Sequence, residues 1–176
     1  KFQIIPFENT PEISREILTN FGKNIDIVCG WFDETFWGIE NCRGQKIEDD
    51  RLCCALSVNH PLAFSEKLKL SDLYGENVML IRRGWNRYTD AVRDELEIHH
   101  PDIKIIDVPF FNIDVFNRCE NGDEILIGFQ KWSNVHPLLR MVPIEWEYTS
   151  PFGILHSDKP SPVVKEFLEA VSKLKP

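Results

Sequence analysis

The sequence predicts an α/β protein built as two lobes, and three observations carry that prediction. Apolar runs of strand length alternate with stretches of helical periodicity along most of the 176 residues, the pattern that packs helices against a sheet. Asn59-His60-Pro61-Leu62-Ala63 breaks this alternation between the apolar run Leu52 to Val58 and the amphipathic restart Leu68-Lys69-Leu70-Ser71-Asp72-Leu73. Pro61 has no N–H for a sheet ladder and holds its predecessor extended, so a strand ends there and the chain sets off elsewhere. A second crossing is expected near Ile144 to Ser150. The expected organisation is a first lobe over residues 1–58, a second over 59–144, and a return to the first over 145–176, with two Rossmann-like lobes joined by two crossing strands.

Each element follows from its own residues. Phe2 to Phe7 reads as a strand, and Thr10-Pro11 supplies an N-cap followed by proline at the first helical position. Ile13, Ile17, Leu18 and Phe21 recur at helical spacing until Gly22. Ile25 to Gly30 is a short apolar strand, so residues 2–30 are expected to form a β-α-β unit with parallel strands and a right-handed crossover. Residues 38–51 are polar and read as a connection to the Leu52 to Val58 strand.

Beyond Pro61, Val78 to Ile81 reads as a strand, Tyr88, Ala91, Val92 and Leu96 mark a helix, and Ile103 to Val108 is another strand. A short helix around Val115, Phe116 and Cys119 leads through a turn at Asn121-Gly122-Asp123 into the strand Glu124 to Phe129. Met141 to Ile144 and Thr149 to His156 are two further strands. Ser161-Pro162 opens a last helix whose apolar face is Val164, Phe167, Leu168, Val171 and Leu174.

Composition narrows the function classes. Hydrophobic content of 43%, charged content of 27% and a net charge of −8 describe an ordinary soluble globular protein. The acidic balance argues against this chain itself holding DNA or an anionic membrane, because that binding draws on clustered Lys and Arg. No apolar run approaches the roughly 18 residues that would span a bilayer. Five cysteines lack C-x-x-C spacing, and Cys29, Cys53 and Cys54 lie in apolar runs, which reads as buried thiols in a reducing cytoplasm. The histidines His60, His99, His100, His136 and His156 lack the spacing that puts two metal ligands on one helical face. No G-x-S-x-G, P-loop or H-E-x-x-H motif is present. The sequence indicates neither catalysis nor a metal or cofactor.

The order of Asn24-Ile25-Asp26-Ile27-Val28, Asn59 to Ala63, Leu70-Ser71-Asp72-Leu73-Tyr74-Gly75, Cys119 to Gly128, Val142-Pro143-Ile144 and Ser161-Pro162 to Leu168 resembles the effector (co-inducer)-binding domain of LysR-type transcriptional regulators. That resemblance implies a type 2 periplasmic-binding-protein fold, here expected without the first strand and helix of its first lobe. It also implies a small-molecule effector, a homodimer or tetramer in the full-length protein, and DNA contact only through an absent N-terminal winged helix-turn-helix. The chain departs from the pattern at Asp123-Glu124, where small residues are expected after Gly122.

In such a fold the effector lies between the lobes, against loops at strand ends and helix N-termini, whose free N–H groups favour anions. Four loops are candidates. Asn9 and Thr10 precede the first helix, where Thr10 either contacts ligand or only caps. Trp31 begins the aromatic stretch with Phe32, Phe36 and Trp37, which either stacks on a planar effector or packs internally. Arg82-Arg83-Gly84-Trp85-Asn86-Arg87 brings cations and amides to a helix N-terminus, the best anion site in the sequence unless it is a solvated basic loop. Phe111, Asn112, Phe129 and Gln130 follow two strands, where Asn112 could instead cap a helix and Phe129 could be core. The implied effector is small and carboxylate-bearing. Two alternatives stay open: an extracytoplasmic solute-binding protein of the same fold, and an α/β enzyme acting on a small anionic substrate.

Overall fold

A computed structural model of the chain describes residues 3–7, 10–33 and 41–173. They divide into two compact units, one of Lys1–Asp49 with Pro151–Pro176 and one of Asp50–Ser150.

In the first unit, Thr10 caps helix α1 (Pro11–Thr19) by accepting the Ile13 N–H on its hydroxyl at 3.3 Å. Strand β1 (Ile27–Trp31) pairs antiparallel with β7 (Thr149–Ser157), Ile27 opposite His156 and Trp31 opposite Phe152. The other neighbour of β7 is β2 (Cys42–Ser57). Helix α4 (Pro162–Lys173) packs Val164 and Leu168 on Ile154, while Ile17 and Phe21 gather with Cys42 and Leu155.

Two expectations are corrected here. Residues 3–7 form no strand, and Ile4 is 92% exposed, so the expected parallel β-α-β unit over 2–30 is not present. An apolar run becomes a strand only where a neighbouring ladder takes its N–H and C=O groups, and β1 finds that partner in β7 instead. The polar stretch 42–51, read as a connection, is the first part of the 16-residue strand β2. Its half-exposed side chains hide the strand from a hydrophobicity reading, while β7 supplies its backbone partners.

In the second unit, strands β3 (Asn77–Ile81), β4 (Lys104–Val108) and β5 (Ile125–Phe129) lie parallel in the order β5-β3-β4. Strand β2 pairs antiparallel with β5 and with β6 (Leu139–Val142). Val78 to Ile81 and Ile125 to Ile127 are almost fully buried, the continuous apolar pattern of parallel strands covered on both faces. Helices α2 (Arg87–His99) and α3 (Ile113–Asn121) contribute Val92, Leu96, Val115, Phe116 and Cys119 to this core.

The partition between the units falls inside β2, between Asp49 and Asp50, so Asn59 to Ala63 lies wholly in the second unit. There it forms a tight turn. The N–H of His60 donates to the Ser57 carbonyl at 2.9 Å, and His60 Nδ1 accepts the Leu62 N–H at 3.2 Å. The imidazole is buried and acts as a turn acceptor.

Cys53, Cys54 and Cys119 are fully buried, whereas Cys29 is exposed. Burial pushes the thiols of Cys53 and Cys119 up to about 12 and Cys54 well above its ordinary range. The thiolate is the nucleophile, so iodoacetamide at pH 8 should label Cys29 first and the four buried thiols, Cys42 included, only after unfolding. Native labelling of Cys53 at the rate of Cys29 would contradict this. Because the folded state keeps these protons longer than the unfolded chain, stability is intact below the ordinary thiol value of 9.0 and falls as pH rises toward about 12. Cys53→Ala and Cys119→Ala should each flatten that alkaline decline in urea titrations.

Candidate functional site

In the second unit the parallel strands β4, β3 and β5 end side by side at Val108, Ile81 and Phe129, so the segments leaving them share one edge of the sheet. In open α/β sheets this carboxyl edge is where ligands bind. The N–H of Arg82 donates to the Val108 carbonyl at 2.9 Å and ties the first two exits together.

The exit of β3 is a turn closed by its own side chains. Gly84 takes a positive φ of 87°, open to glycine, and its N–H donates to both Asp90 carboxylate oxygens at 3.1 and 3.0 Å. Asn86 is buried and caps α2, its Oδ1 accepting the Tyr88 N–H at 2.8 Å, while its Nδ2 donates to Ser150 Oγ at 3.4 Å. Thr89 Oγ1 donates to the Asn86 carbonyl at 2.8 Å. Trp85 is half-buried and Arg87 stacks on Tyr88 with its guanidinium 4.8 Å from the ring centroid.

Arg83 turns back along α2, pairing with Asp94 at 2.7 Å and Glu97 at 3.0 Å. The Asp94 hydrogen bond, with Glu97 adding to it, holds its guanidinium above the ordinary value. Arg82 is exposed, and its guanidinium has no hydrogen-bond or ion-pair partner among the described residues.

The exits of β4 and β5 form an aromatic wall. Phe111 meets Trp132 edge-on at 4.7 Å, and Phe129 and Phe116 meet the same indole at 5.1 and 5.2 Å. Such edge-to-face pairs fix ring orientation as well as burying area. Asn112 caps α3, its Oδ1 accepting the Val115 N–H at 3.0 Å. Gln130 is half-buried and opens the 3-10 turn Gln130–Asn134, whose Lys131 N–H donates to Asp50 Oδ2 at 3.3 Å.

Of the sequence candidates, Arg83, Gly84, Trp85, Asn86, Phe111, Asn112, Phe129 and Gln130 are brought to this edge of the second unit. Thr10 and Trp31 belong to the first unit, Thr10 as a helix cap and Trp31 against Phe152 at 5.1 Å. Asn9, Phe36 and Trp37 lie outside the described residues. Sequence reasoning missed Asp50 and Arg93. Asp50 was hidden in what reads as a polar connection. Arg93 had a signal, because it shares the buried face of α2 with Thr89, Val92 and Leu96, a place where an arginine is rarely found without partners.

No described helix is long and apolar enough to cross a membrane. Among the described residues no group of three or more His, Cys, Asp or Glu side chains could hold a metal ion.

No protein-family model matches the sequence, and no curated protein matches it. Solved structures do match. The regulatory domain of CcmR from Synechocystis PCC6803, in complex with 2-PG, superposes with a TM-score of 0.66 at 16% identity, over 93% of this chain and 79% of that one. The effector binding domain of QuiR in complex with shikimate gives 0.69 at 17% identity, over 96% and 79%. CbnR, a LysR family transcriptional regulator, gives 0.69 at 18% identity; the match covers 95% of this chain and 57% of CbnR. At such identities the likeness is one of architecture, and the architecture is shared along nearly the whole chain. The chain has the α/β fold of the effector-binding domains of LysR-type regulators.

Proposed function

We propose that this chain is the effector-binding domain of a LysR-type transcriptional regulator and that it binds a small carboxylate without turning it over. The observation that carries this reading is the carboxyl edge of β4, β3 and β5, where a basic turn stands beside an aromatic wall. Folds of this kind hold 2-PG in CcmR and shikimate in QuiR. Within the second unit the ligand contacts are drawn from the β3 exit turn around Arg83, Gly84, Trp85 and Asn86 and from Phe111, Asn112, Phe129 and Gln130. Linkage then sets the mechanism. An effector shifts a regulator between states only by its difference in affinity for them. The full-length protein would act in the cytoplasm as a homodimer or tetramer, reaching DNA through its own N-terminal domain.

A thermal-shift screen of benzoate, shikimate, 2-PG and related acids tests the proposal. A true effector at a hundredfold excess over its Kd should stabilise the fold by about 2.7 kcal/mol, which raises Tm by several degrees in a domain of this size. Chromatography of the same mixtures should recover the acid unchanged. Consumption of the ligand would move the reading to an enzyme, and the absence of any shift across small carboxylates would remove the proposed ligand class.

A further inference from the structure

The two adjacent arginines of the β3 exit meet different surroundings. Arg83 is bound by Asp94 and Glu97 on α2. Glu97 in turn reaches Arg93 Nη1 at 3.4 Å. Arg93 is itself buried; its Nη2 donates to the Ile81 carbonyl at 2.9 Å and to Asp107 Oδ1 at 2.6 Å. A continuous chain of charge thus runs from the exposed turn, along one face of α2, to the last carbonyl of β3 and to β4. Arg93 Nε is buried with no hydrogen-bond partner in this arrangement. A buried cation with one donor unmet is a poor device for stability alone, since an apolar side chain of similar volume commonly serves as well or better. What it does supply is geometry: the planar fork fixes helix, strand end and turn in one register.

We propose that these arginines have divided roles: Arg83 and Arg93 are positioning residues, locked through Glu97 to hold the β3 exit turn, and Arg82 is the cation left to meet an anionic ligand. This rests on the function proposed above only for the ligand; the division between locked and unlocked guanidinium groups stands on the ion pairs themselves. Recruiting Arg83 to a ligand would mean breaking contacts with two carboxylates, whereas recruiting Arg82 breaks none among the described residues. The capped amides at Gly84, Tyr88 and Val115 reinforce the point, because their hydrogen bonds already go to Asp90, Asn86 and Asn112.

Two measurements on the intact chain decide this without any knowledge of the natural ligand. Phenylglyoxal modifies guanidinium groups, and peptide mass spectrometry resolves each arginine. Arg82 should be modified about fivefold faster than Arg83, the protection expected of exposed ion pairs, and Glu97→Gln should bring Arg83 closer to the rate of Arg82. In the same Glu97→Gln variant, amide exchange should quicken at Arg82 and Gly84 while Met79 and Ile127 keep their protection. Equal modification rates in the parent protein would overturn the division of roles, as would a Glu97→Gln variant whose exchange rises everywhere or nowhere. Calorimetry with benzoate, shikimate and 2-PG on Arg82→Gln bears on the functional reading. If the parent binds none of them, that reading fails while the ion-pair lock is still judged by modification and exchange. If the parent binds one, Arg82→Gln should lose more affinity than Arg83→Gln, and the reverse order would sink the assignment of Arg82.

Discussion

Trp132→Ala should destabilise the second unit by about 3–5 kcal/mol, the usual cost of removing a buried tryptophan. The indole is 9% exposed and is the common neighbour of Phe111, Phe116 and Phe129. It also lies directly on Gly128: a Cβ built there would sit 2.6 Å from two carbons of the six-membered ring. Gly128 is therefore matched to Trp132, and Gly128→Ala should by itself cost about 1–3 kcal/mol by overpacking. The two substitutions should be strongly non-additive, because without the indole the added methyl has nothing to strike. Urea titrations of the parent, both single variants and the double variant close the cycle. Additive costs would show that Trp132 does not rest on Gly128. A ligand that uses the aromatic wall should also lose affinity for Trp132→Ala, even under conditions where that variant is fully folded.

Gly153→Ala should be comparably damaging in the first unit, and for a backbone reason. A Cβ at this position would lie 2.5 Å from the Gln45 carbonyl oxygen and 3.1 Å from Lys46 Cα. Both obstacles are main chain of the adjoining strand β2, so no side chain can swing aside. The strands must separate or slip, with a cost at or above the upper end of about 1–3 kcal/mol. Gly153 pairs with Gly30 across the β1–β7 ladder, so amide exchange should quicken first through β1 and β7. A denaturation midpoint within error of the parent would contradict the close approach of β7 to β2.

How much of this was legible in the sequence depends on what kind of information each element carries. The strands β3 and β5 were readable because they are buried on both faces, so each is a nearly uninterrupted apolar run. Strand β4, at the end of the sheet order with Lys104 and Asp107 exposed, was readable from Ile103, Ile105, Ile106 and Val108. Helices α2, α3 and α4 were readable from periodicity, α3 and α4 also from Asn112 and Ser161, which the structure uses as acceptors for Val115 and Val164; the Asn86 cap of α2 emerged only in the structure. The polar half of β2 and the fate of residues 3–7 were not, because strand formation there depends on whether another strand lies alongside.

The candidate site divides in the same way. That a basic turn and an aromatic group would follow β3, β4 and β5 could be read from Arg82 to Arg87, Phe111 and Phe129, since the turn chemistry and strand ends are local. Which arginine is engaged could not. Arg82 and Arg83 are the same residue type one position apart, and only the placement of Asp94 and Glu97 about two and three turns along α2 distinguishes them. Thus the sequence by itself determined the α/β class, the order of the buried strands and the capped helices, because burial pattern and capping act over a few neighbouring residues. The tertiary structure decided the antiparallel β1–β7 pairing, the seating of Trp132 on Gly128 and the locking of Arg83 through Glu97. The β1–β7 pairing and the Arg83 lock join separate elements of the chain. The Trp132–Gly128 contact, although local in sequence, depends on how the chain turns after β5 and on the rings packed around it; hydrophobic spacing encodes none of these.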